Sequence, residues 1–239
     1  ETNWKNKKIL WSSLVAKLKN PVITPETYTE YLKLGKAEQD RIKDVGGFVG
    51  GTLTGGRRKA DSVATRQILT LDADYAPVDF FDTLELLADY ACCVYSTHKH
   101  SPEHPRYRLL IPLDREVTPD EYEAIARKVA EEIGIDYFDD TTYQASRLMY
   151  WPSVSSDGVY FHNYLDYPFL SADKVLSKYP DWTDTSYWPE SSRAAGIRRK
   201  QAEKQGDPFE KPGLIGAFCR TYTVPEAIEK FIPDVYIRC

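Results

Sequence analysis

Short, mostly apolar runs recur through the middle of the chain and alternate with longer stretches whose apolar residues return every three or four positions. The short runs predict strands at 67–74, 91–96, 107–112 and 148–151. The longer stretches predict helices over 77–90 and 118–133. In the second helix, Thr118 and Glu121 form a capping box, and Gly134 stands at the C′ position. This order of elements predicts an α+β fold with an RRM-like or ferredoxin-like split βαβ sheet.

The regions on either side of this sheet are predicted to be mainly helical. Residues 24–43 begin with Thr24-Pro25-Glu26, which predicts a helix N-terminus, and continue as a charged helix or helix pair, so we expect an N-terminal α/β unit. Toward the C-terminus we expect a basic helix and then a small helical unit at 214–231. We therefore predict one domain over 1–190 and a basic helical tail over 191–239.

A glycine-rich segment lies between the charged helices and the first predicted strand of the sheet. Residues 46–56 contain six of the 13 glycines, and Arg57, Arg58 and Lys59 follow directly. One interpretation is a flexible hairpin tip, and the other is a loop whose bare backbone approaches phosphates. The segment is not a Walker loop, because no Gly-Lys-Ser/Thr follows it.

Composition narrows the class of protein. The 239 residues are 42% hydrophobic and 28% charged, which excludes collagen-like, disordered and coiled-coil chains. No run of 18 apolar residues and no signal-peptide pattern is present, so we expect no membrane partner. Four cysteines without zinc-ribbon spacing predict no zinc site and a reduced, cytoplasmic protein. A start at Glu1 and an end at Arg238-Cys239 without polar fading lead us to expect a processed or trimmed chain from a longer parent.

Charge is segregated along the chain. The net charge of −5 has the wrong sign for a protein that simply coats nucleic acid. Residues 54–69 and 193–204 are nevertheless basic, whereas acids concentrate at 114–140. An enzyme that binds cations with carboxylates and a polyanion with basic loops would have this pattern, and so would an ordinary solvated surface.

Two acids close the first predicted strand of the sheet. Asp72 and Asp74 lie two residues apart, so the period of a strand places both carboxylates on one face, with their Cβ atoms roughly 6–7 Å apart. That spacing suits a pair of divalent cations roughly 3.5–4 Å apart, as used in nucleotidyl transfer. Carboxylate ligands favour Mg²⁺ or Mn²⁺.

Two further segments carry polar side chains beside predicted strands. Ser96-Thr97-His98 ends the second strand, and residues 98–108 contain three of the four histidines together with Lys99, Arg106 and Arg108. These donors suit a triphosphate. The second segment places the acid pair Asp139-Asp140 before Arg147, at the entry of the last strand.

Taken together, these blocks resemble the motifs of the archaeo-eukaryotic primase superfamily. They are most similar to the primase-polymerase domains of phage and prophage replication proteins of the virulence-associated-protein-E type. The similar stretches, which fall within about residues 45–235, are LTLDAD, STHKHSPEHPRYRLLIPL, FDDTTYQASRLMYWPS and KQGDPFEKPGLIGAFCRTY.

The resemblance implies a template-dependent DNA primase-polymerase that joins NTPs or dNTPs on single-stranded DNA or a primer-template. It assigns catalytic metal binding to Asp72, Asp74 and the acid at 139/140, of which we favour Asp139 because it directly follows a hydrophobic residue. Asp140 would then cap the turn at Thr141-Thr142 or accept a bond from a nearby cation. The last block implies a linker toward a helicase domain. Candidate nucleotide-binding residues are Ser96, His98, Arg106, Arg108, Arg147 and, more weakly, Arg57, Arg58 and Lys59.

Two rival functions stay open. A replication-initiator endonuclease of the His-hydrophobe-His class also uses a ferredoxin-like sheet, and His98-x-His100 fits it superficially, although the flanking residues are polar. A non-catalytic module that binds single-stranded nucleic acid would need exposed aromatic side chains on a basic sheet.

Overall fold

The computed structural model describes residues 3–205 and 207–232. The predictions that concern Glu1, Arg238 and Cys239 therefore lie outside the described residues. The chain divides into two compact units at the bond between Ser191 and Ser192. Along the described residues, no helix has both the length and the apolar character that crossing a bilayer requires.

The first unit contains both strands and helices, and the described residues of the second unit form helices. The strands are β1 Val22–Thr24, β2 Gly47–Phe48, β3 Gly51–Leu53, β4 Val63–Ala73, β5 Cys92–Ser96, β6 Tyr107–Val117, β7 Met149–Tyr150, β8 Ser153–Ser155 and β9 His162–Leu165. The helices are α1 Trp11–Leu18, α2 Tyr28–Lys33, α3 Lys36–Lys43, α4 Phe80–Leu87, α5 Pro119–Ile133, α6 Ala172–Leu176, α7 Ser192–Gln205, α8 Gly213–Thr221 and α9 Val224–Phe231.

The main sheet has five strands in the order β3-β4-β6-β5-β9, and all neighbours pair antiparallel. β6 lies between β4 and β5, which α4 connects, so the predicted split βαβ arrangement and α+β class are confirmed. The predicted helix over 118–133 is α5, with the capping box of Thr118 and Glu121, and α4 is shorter than predicted. The predicted fourth strand of the sheet is wrong, because β7 pairs with β2 in a separate two-stranded sheet.

The part of β4 that extends beyond its pairing with β3 explains that difference. The edge of this part is occupied by the turn at 139–142 rather than by a strand. The amide of Asp139 donates to the carbonyl of Asp72 (2.9 Å), and the Thr142 hydroxyl accepts from the Asp72 amide (2.8 Å) while it donates to the Thr70 carbonyl (3.1 Å). These bonds satisfy the backbone groups that a fourth strand would have paired, and they fix the acid-bearing turn beside Asp72.

Both faces of the sheet are covered. On one face, Leu69 and Leu71 of β4 pack into the larger core with the apolar side of α5. On the other face, Cys93, Tyr95 and Leu110 pack under α1, a helix that the sequence analysis did not predict. Because side chains alternate along a strand, Asp72 shares the α1-covered face of β4 with Ile68 but lies nearer the strand end.

The N-terminal segment departs from the prediction at its first residues. Thr24 ends β1, which pairs in parallel with β8, and is not a helix cap. The reason is Pro25, because a residue that precedes proline is sterically biased toward extended conformations. The helix α2 begins at Tyr28, and Thr27 caps it in a capping box with Glu30.

The glycine-rich segment supplies two short strands, β2 and β3, and its last two glycines lie in the connection of the β3–β4 hairpin. A Cβ atom at Gly51 would collide with the carbonyl oxygen of Thr65 on the neighbouring strand, and one at Gly47 would collide with the carbonyl oxygen of Met149. Glycine is therefore required at both positions by the close approach of two backbones. The turn that follows β3 uses Gly55 and Gly56 at positive φ values of 69° and 66°.

The described residues of the second unit form the helices α7, α8 and α9. Helix α7 corresponds to the predicted basic helix, and α8 and α9 form the predicted small helical unit. The rings of Phe218, Tyr222 and Phe231 contact one another, with centroids 5.3–5.6 Å apart, and hold α8 against α9.

Candidate active site

A cavity of about 480 Å³ opens at the end of β4. Asp72, near the end of this strand, and Asp74, just beyond it, both line the cavity, as the strand period predicts. The other lining residues come from α2 and α3, from the connection between β3 and β4, from the turn after β5, from the start of β6 and from the segment around β7 and β8. They are Tyr31, Lys36, Gln39, Asp40, Lys43, Arg58, Thr97, His98, Lys99, Arg106, Arg108, Arg147, Leu148, Tyr150 and Ser153.

In the turn beside β4, the two adjacent acids that follow Phe138 have different bonding partners. The Phe138 side chain is fully buried in the larger core, against Phe80, which fixes the orientation of the turn. Asp139 then lies beside Asp72, and its Oδ2 is 3.1 Å from Nη2 of Arg147. Asp140 is directed elsewhere, because its Oδ1 accepts a hydrogen bond from Ser191 at 2.5 Å. Asp139, not Asp140, caps the turn by accepting from the Thr141 amide and hydroxyl.

Three arginines pair with the three acids. Arg108 lies directly across from Asp72 in the β4–β6 register, and its Nε donates to Asp72 Oδ1 at 3.1 Å. Arg147 donates to Asp139 and approaches Asp72 Oδ2 at 3.5 Å, so it bridges two carboxylates. Arg106 donates to Asp74 Oδ1 at 3.1 Å. Three of the five arginines that the sequence predicts as phosphate contacts therefore lie at the acid cluster, namely Arg106, Arg108 and Arg147.

The electrostatics of the cavity combine a crowded acid cluster with an excess of cations. Burial and the nearby charge of Asp72 raise the pKa of Asp74 above its usual value, and Arg106 only partly opposes them. Around the cavity as a whole, seven Lys and Arg side chains line the wall against three Asp. In a chain of net charge −5, such a cavity is suited to a polyanionic ligand.

The residues present fit a divalent cation by the chemistry of their donors. Asp72, Asp74 and Asp139 offer the hard carboxylate oxygens that Mg²⁺ and Mn²⁺ prefer. Burial raises the pKa of Asp74, and repulsion from Asp72 and Asp139 raises it further; a bound cation would relieve that repulsion. As the side chains stand, each carboxylate faces a guanidinium, and no group of three His, Cys, Asp or Glu within the described residues is already arranged around a common metal position. Zinc, for which the sequence analysis expected no site, is not favoured by this oxygen-only donor set.

His98 lines the cavity but uses both ring nitrogens within the protein. Nδ1 lies 2.9 Å from the Ser153 hydroxyl, and Nε2 lies 3.1 Å from Oε1 of Glu26. The ring also packs on Tyr31, with centroids 4.4 Å apart. Burial lowers the pKa of His98, and the hydrogen bond to Glu26 only partly offsets that effect. His98 therefore presents a neutral ring to the cavity and has a structural partner that the sequence analysis did not foresee.

Ser96 does not reach the cavity. It is buried, and its hydroxyl accepts from the Phe161 amide at 2.9 Å. The reason is the strand period, because Tyr95 occupies the face of β5 shared with Arg108, and the next residue must point to the opposite face. Thr97, one position later, lines the cavity in its place.

The basic triplet after the glycine-rich segment contributes one residue. Arg58 lines the cavity, and its Nη1 donates to the Ser146 carbonyl at 3.0 Å. Arg57 and Lys59 are exposed and are not part of the cavity wall.

The sequence analysis missed one wall of the cavity. Helix α3 contributes Lys36, Gln39, Asp40 and Lys43. These residues lie at i, i+3, i+4 and i+7, which is the spacing of a single helix face. A polar stripe at this spacing was the available signal, although a solvated helix face has the same pattern.

The geometry does not favour the two rival functions. His98 is directed to Glu26 and Ser153, whereas His100 accepts from the Arg106 amide and packs on Tyr107, so the two imidazoles do not face a common ligand. The open aromatic sheet face that a single-strand-binding module requires is covered by α1.

Comparisons with known proteins agree with the family resemblance. The sequence profile of the VapE N-terminal domain family matches residues 1–191. Among solved structures, the chain is similar to the AEP domain of the primase-polymerase (PrimPol) of cyanophage S-2L, with 12% identity and a TM-score of 0.42 over 60% of this chain and 76% of that one. A likeness at this level carries no weight for function. No curated protein sequence matches the chain.

Proposed function

The chain belongs to the VapE N-terminal domain family, and from that premise we propose that it is a template-dependent DNA primase-polymerase. It would join NTPs or dNTPs during phage or mobile-element replication, with a helicase region as a partner. The observation that supports the proposal is the clustering of Asp72, Asp74 and Asp139 at the end of β4, where Asp72 and Asp74 line a cationic cavity. Nucleotidyl transfer requires both parts, carboxylates for cations and positive side chains for a triphosphate.

The side chains of the cavity wall have separable tasks in this reaction. Arg108 and Arg147 hold Asp72 and Asp139 in place, because each guanidinium donates to a carboxylate oxygen. Lys36 and Lys99 are exposed cations on the wall, available to phosphate oxygens of an incoming nucleotide. Arg106, whose side chain is 33% exposed, can donate to phosphate while it remains close to Asp74.

Mg²⁺ or Mn²⁺ held by Asp72, Asp74 and Asp139 would supply the charge that stabilises the attacking 3′ oxygen and the leaving pyrophosphate oxygen. The protein itself positions the carboxylates and the triphosphate. The backbone bond from the Asp139 amide to the Asp72 carbonyl holds two of the acids in fixed relation. The partly enclosed cavity orients the triphosphate toward them.

The test is nucleotide incorporation by the purified chain. Labelled NTPs or dNTPs, single-stranded DNA with and without a primer, and Mg²⁺ or Mn²⁺ are supplied to the wild type and to D72N/D74N. The double variant keeps the shape of both side chains and should abolish incorporation. The control D89N/D166N removes two exposed carboxylates away from the cavity and should leave incorporation intact. Full incorporation by a folded D72N/D74N protein would refute the proposal.

A further inference from the structure

Six basic side chains from two distant parts of the sequence form one surface, which we call the basic arm patch. The N-terminal segment is tied to the turn after β3 by a reciprocal pair of hydrogen bonds between the Asn6 amide side chain and the backbone of Leu53 (2.9 and 3.0 Å). The Trp4 amide adds a bond to the Gly56 carbonyl at 2.9 Å. These bonds place the two basic runs side by side, and the patch consists of Lys5, Lys7, Lys8, Arg57, Arg58 and Lys59.

The charges of this patch are available to a ligand. All six side chains are exposed. None forms an ion pair with another of the residues that the structure describes. Elsewhere on the surface, cations such as Arg115 and Lys178 are paired with carboxylates. A dense group of uncompensated cations on a chain of net charge −5 is typical of a polyanion contact.

The patch continues into the cavity through Arg58. This residue belongs to both surfaces, since it lines the cavity and follows Arg57 in the patch. Its guanidinium lies 5.9 Å from the centroid of the Trp4 ring and donates to the carbonyl of Ser146, which directly precedes the acid-bridging Arg147. Arg58 therefore connects the patch to the side of the cavity where Arg147 meets the acids.

We propose that the basic arm patch is the binding track along which single-stranded DNA reaches the cavity. Unpaired cations would contact successive phosphates, and the half-buried Trp4 ring offers a surface on which a base can stack, a combination typical of single-strand binding. The inference that the patch binds DNA depends only on its charge and geometry. The inference that it delivers a template to the cavity rests on the proposed function.

The test measures binding of a fluorescent 20-nucleotide oligo(dT) to the full chain by anisotropy, without added metal or nucleotide, across a salt series. The variant K5Q/K7Q/K8Q removes three cations that line no part of the cavity. If each contacts one phosphate, the slope of log K against log salt should fall by about 2, and affinity at about 0.1 M salt should fall roughly tenfold to a hundredfold. The control K19Q/K174Q/K178Q removes the same charge elsewhere and should change the slope little.

The outcomes separate this inference from the proposed function. An unchanged slope in K5Q/K7Q/K8Q and also in R57Q/K59Q would overturn the track, even if the wild type incorporates nucleotides. Equal losses in the patch variant and the control would overturn it too, because they would show only a net-charge effect. Loss of binding to phosphatidylserine vesicles with oligo(dT) binding retained would assign the patch to a membrane surface and overturn the DNA track. A reduced slope with no incorporation by the wild type would support the track and refute the proposed function alone.

Discussion

Nε2 of His98 and Oε1 of Glu26 lie 3.1 Å apart, although 72 positions separate the two residues. Glu26 also accepts from the Thr24 hydroxyl at 2.6 Å. Burial acts to raise the pKa of Glu26, but the hydrogen bonds from Thr24 and His98 lower it below its usual value. A neutral imidazole that donates from Nε2 and accepts from Ser153 at Nδ1 satisfies all of these groups. The pair thus ties the N-terminal segment to the cavity wall.

We predict that E26Q lowers the pKa of His98 further. The charge of Glu26 and its hydrogen bond both favour the protonated ring, and the amide removes the charge while it keeps an oxygen at that position. Imidazole ¹⁵N chemical shifts measured across pH give this pKa directly. The control E30Q changes an exposed carboxylate that is bonded to Thr27, and should leave His98 unaffected. A higher pKa of His98 in E26Q would contradict the assignment.

We predict that the protein loses stability as the pH falls from about 7.5 to about 5.5. Burial lowers the pKa values of His98, His100 and His162 in the folded state. The unfolded chain therefore binds protons first, so stability from the neutral rings is complete above the unfolded pKa and is lost below it. Urea unfolding at the two pH values measures the change, and H98N should reduce it. Equal or greater stability at the lower pH would show that these rings do not control it.

We predict that D139N abolishes nucleotide incorporation and that D140N retains it. Asp139 lies beside Asp72 and shares Arg147 with it, whereas Asp140 is bonded to Ser191. Asparagine keeps an oxygen in both places, so the turn cap of the first variant and the Ser191 bond of the second can persist. Replacing Asp140 with alanine should lower the free energy of unfolding by about 1 kcal/mol through the lost hydrogen bond. Loss of incorporation in D140N with activity in D139N would reverse the assignment.

The residues that the sequence located correctly share a local cause. Asp72 and Asp74 lie on one side because the strand period acts over three residues, and the helix α5 follows from its own caps and apolar face. Ser96, which the family resemblance assigned to the nucleotide, lies away from the cavity because Tyr95 occupies the other face of β5. The two-residue period of a strand therefore places a side chain correctly once the face that its neighbours occupy is known.

The parts that could not be predicted depend on long-range contacts. Glu26 reaches His98 only because β1 pairs with β8, a contact between segments about 130 residues apart. Similarly, the fourth strand was misplaced because the edge of β4 is satisfied by the turn at 139–142. The residue pattern of neither segment predicts which other segment it will contact. Both contacts can be identified only from the folded structure.

We predict that G51A destabilises the first unit by about 1–3 kcal/mol or more. A Cβ atom at this position would collide with the Thr65 carbonyl, which belongs to the backbone of β4 and cannot rotate away. The control T52A alters the exposed next residue of the same strand and should cost less than about 1 kcal/mol. Urea unfolding measures both variants, and similar costs would show that the two strands separate more readily than their pairing implies.

Two Arg–Asp pairs at the end of β4 have the same N···O distance but differ in their exposure to solvent. The Arg108 and Asp72 side chains are each 10% exposed and lie 3.1 Å apart, whereas the Arg106 and Asp74 side chains, also 3.1 Å apart, are about one-third exposed. Removing one partner of a buried pair leaves an uncompensated charge, so R108M should lower the free energy of unfolding by about 3 kcal/mol, the lower end of the usual range because Arg147 remains near Asp72. R106M should cost less than about 1 kcal/mol, since water screens its pair.

The double variant D72L/R108M makes the comparison decisive. If the cost of R108M arises from the stranded Asp72 charge, removing both partners should restore much of the stability, because two apolar side chains leave no buried charge behind. The corresponding change at the exposed pair, D74L/R106M, should show a coupling free energy of less than about 1 kcal/mol. Urea unfolding of the four single variants and two double variants gives both coupling energies. Equal values would mean that the β4–β6 register brings Arg108 and Asp72 together without desolvating them.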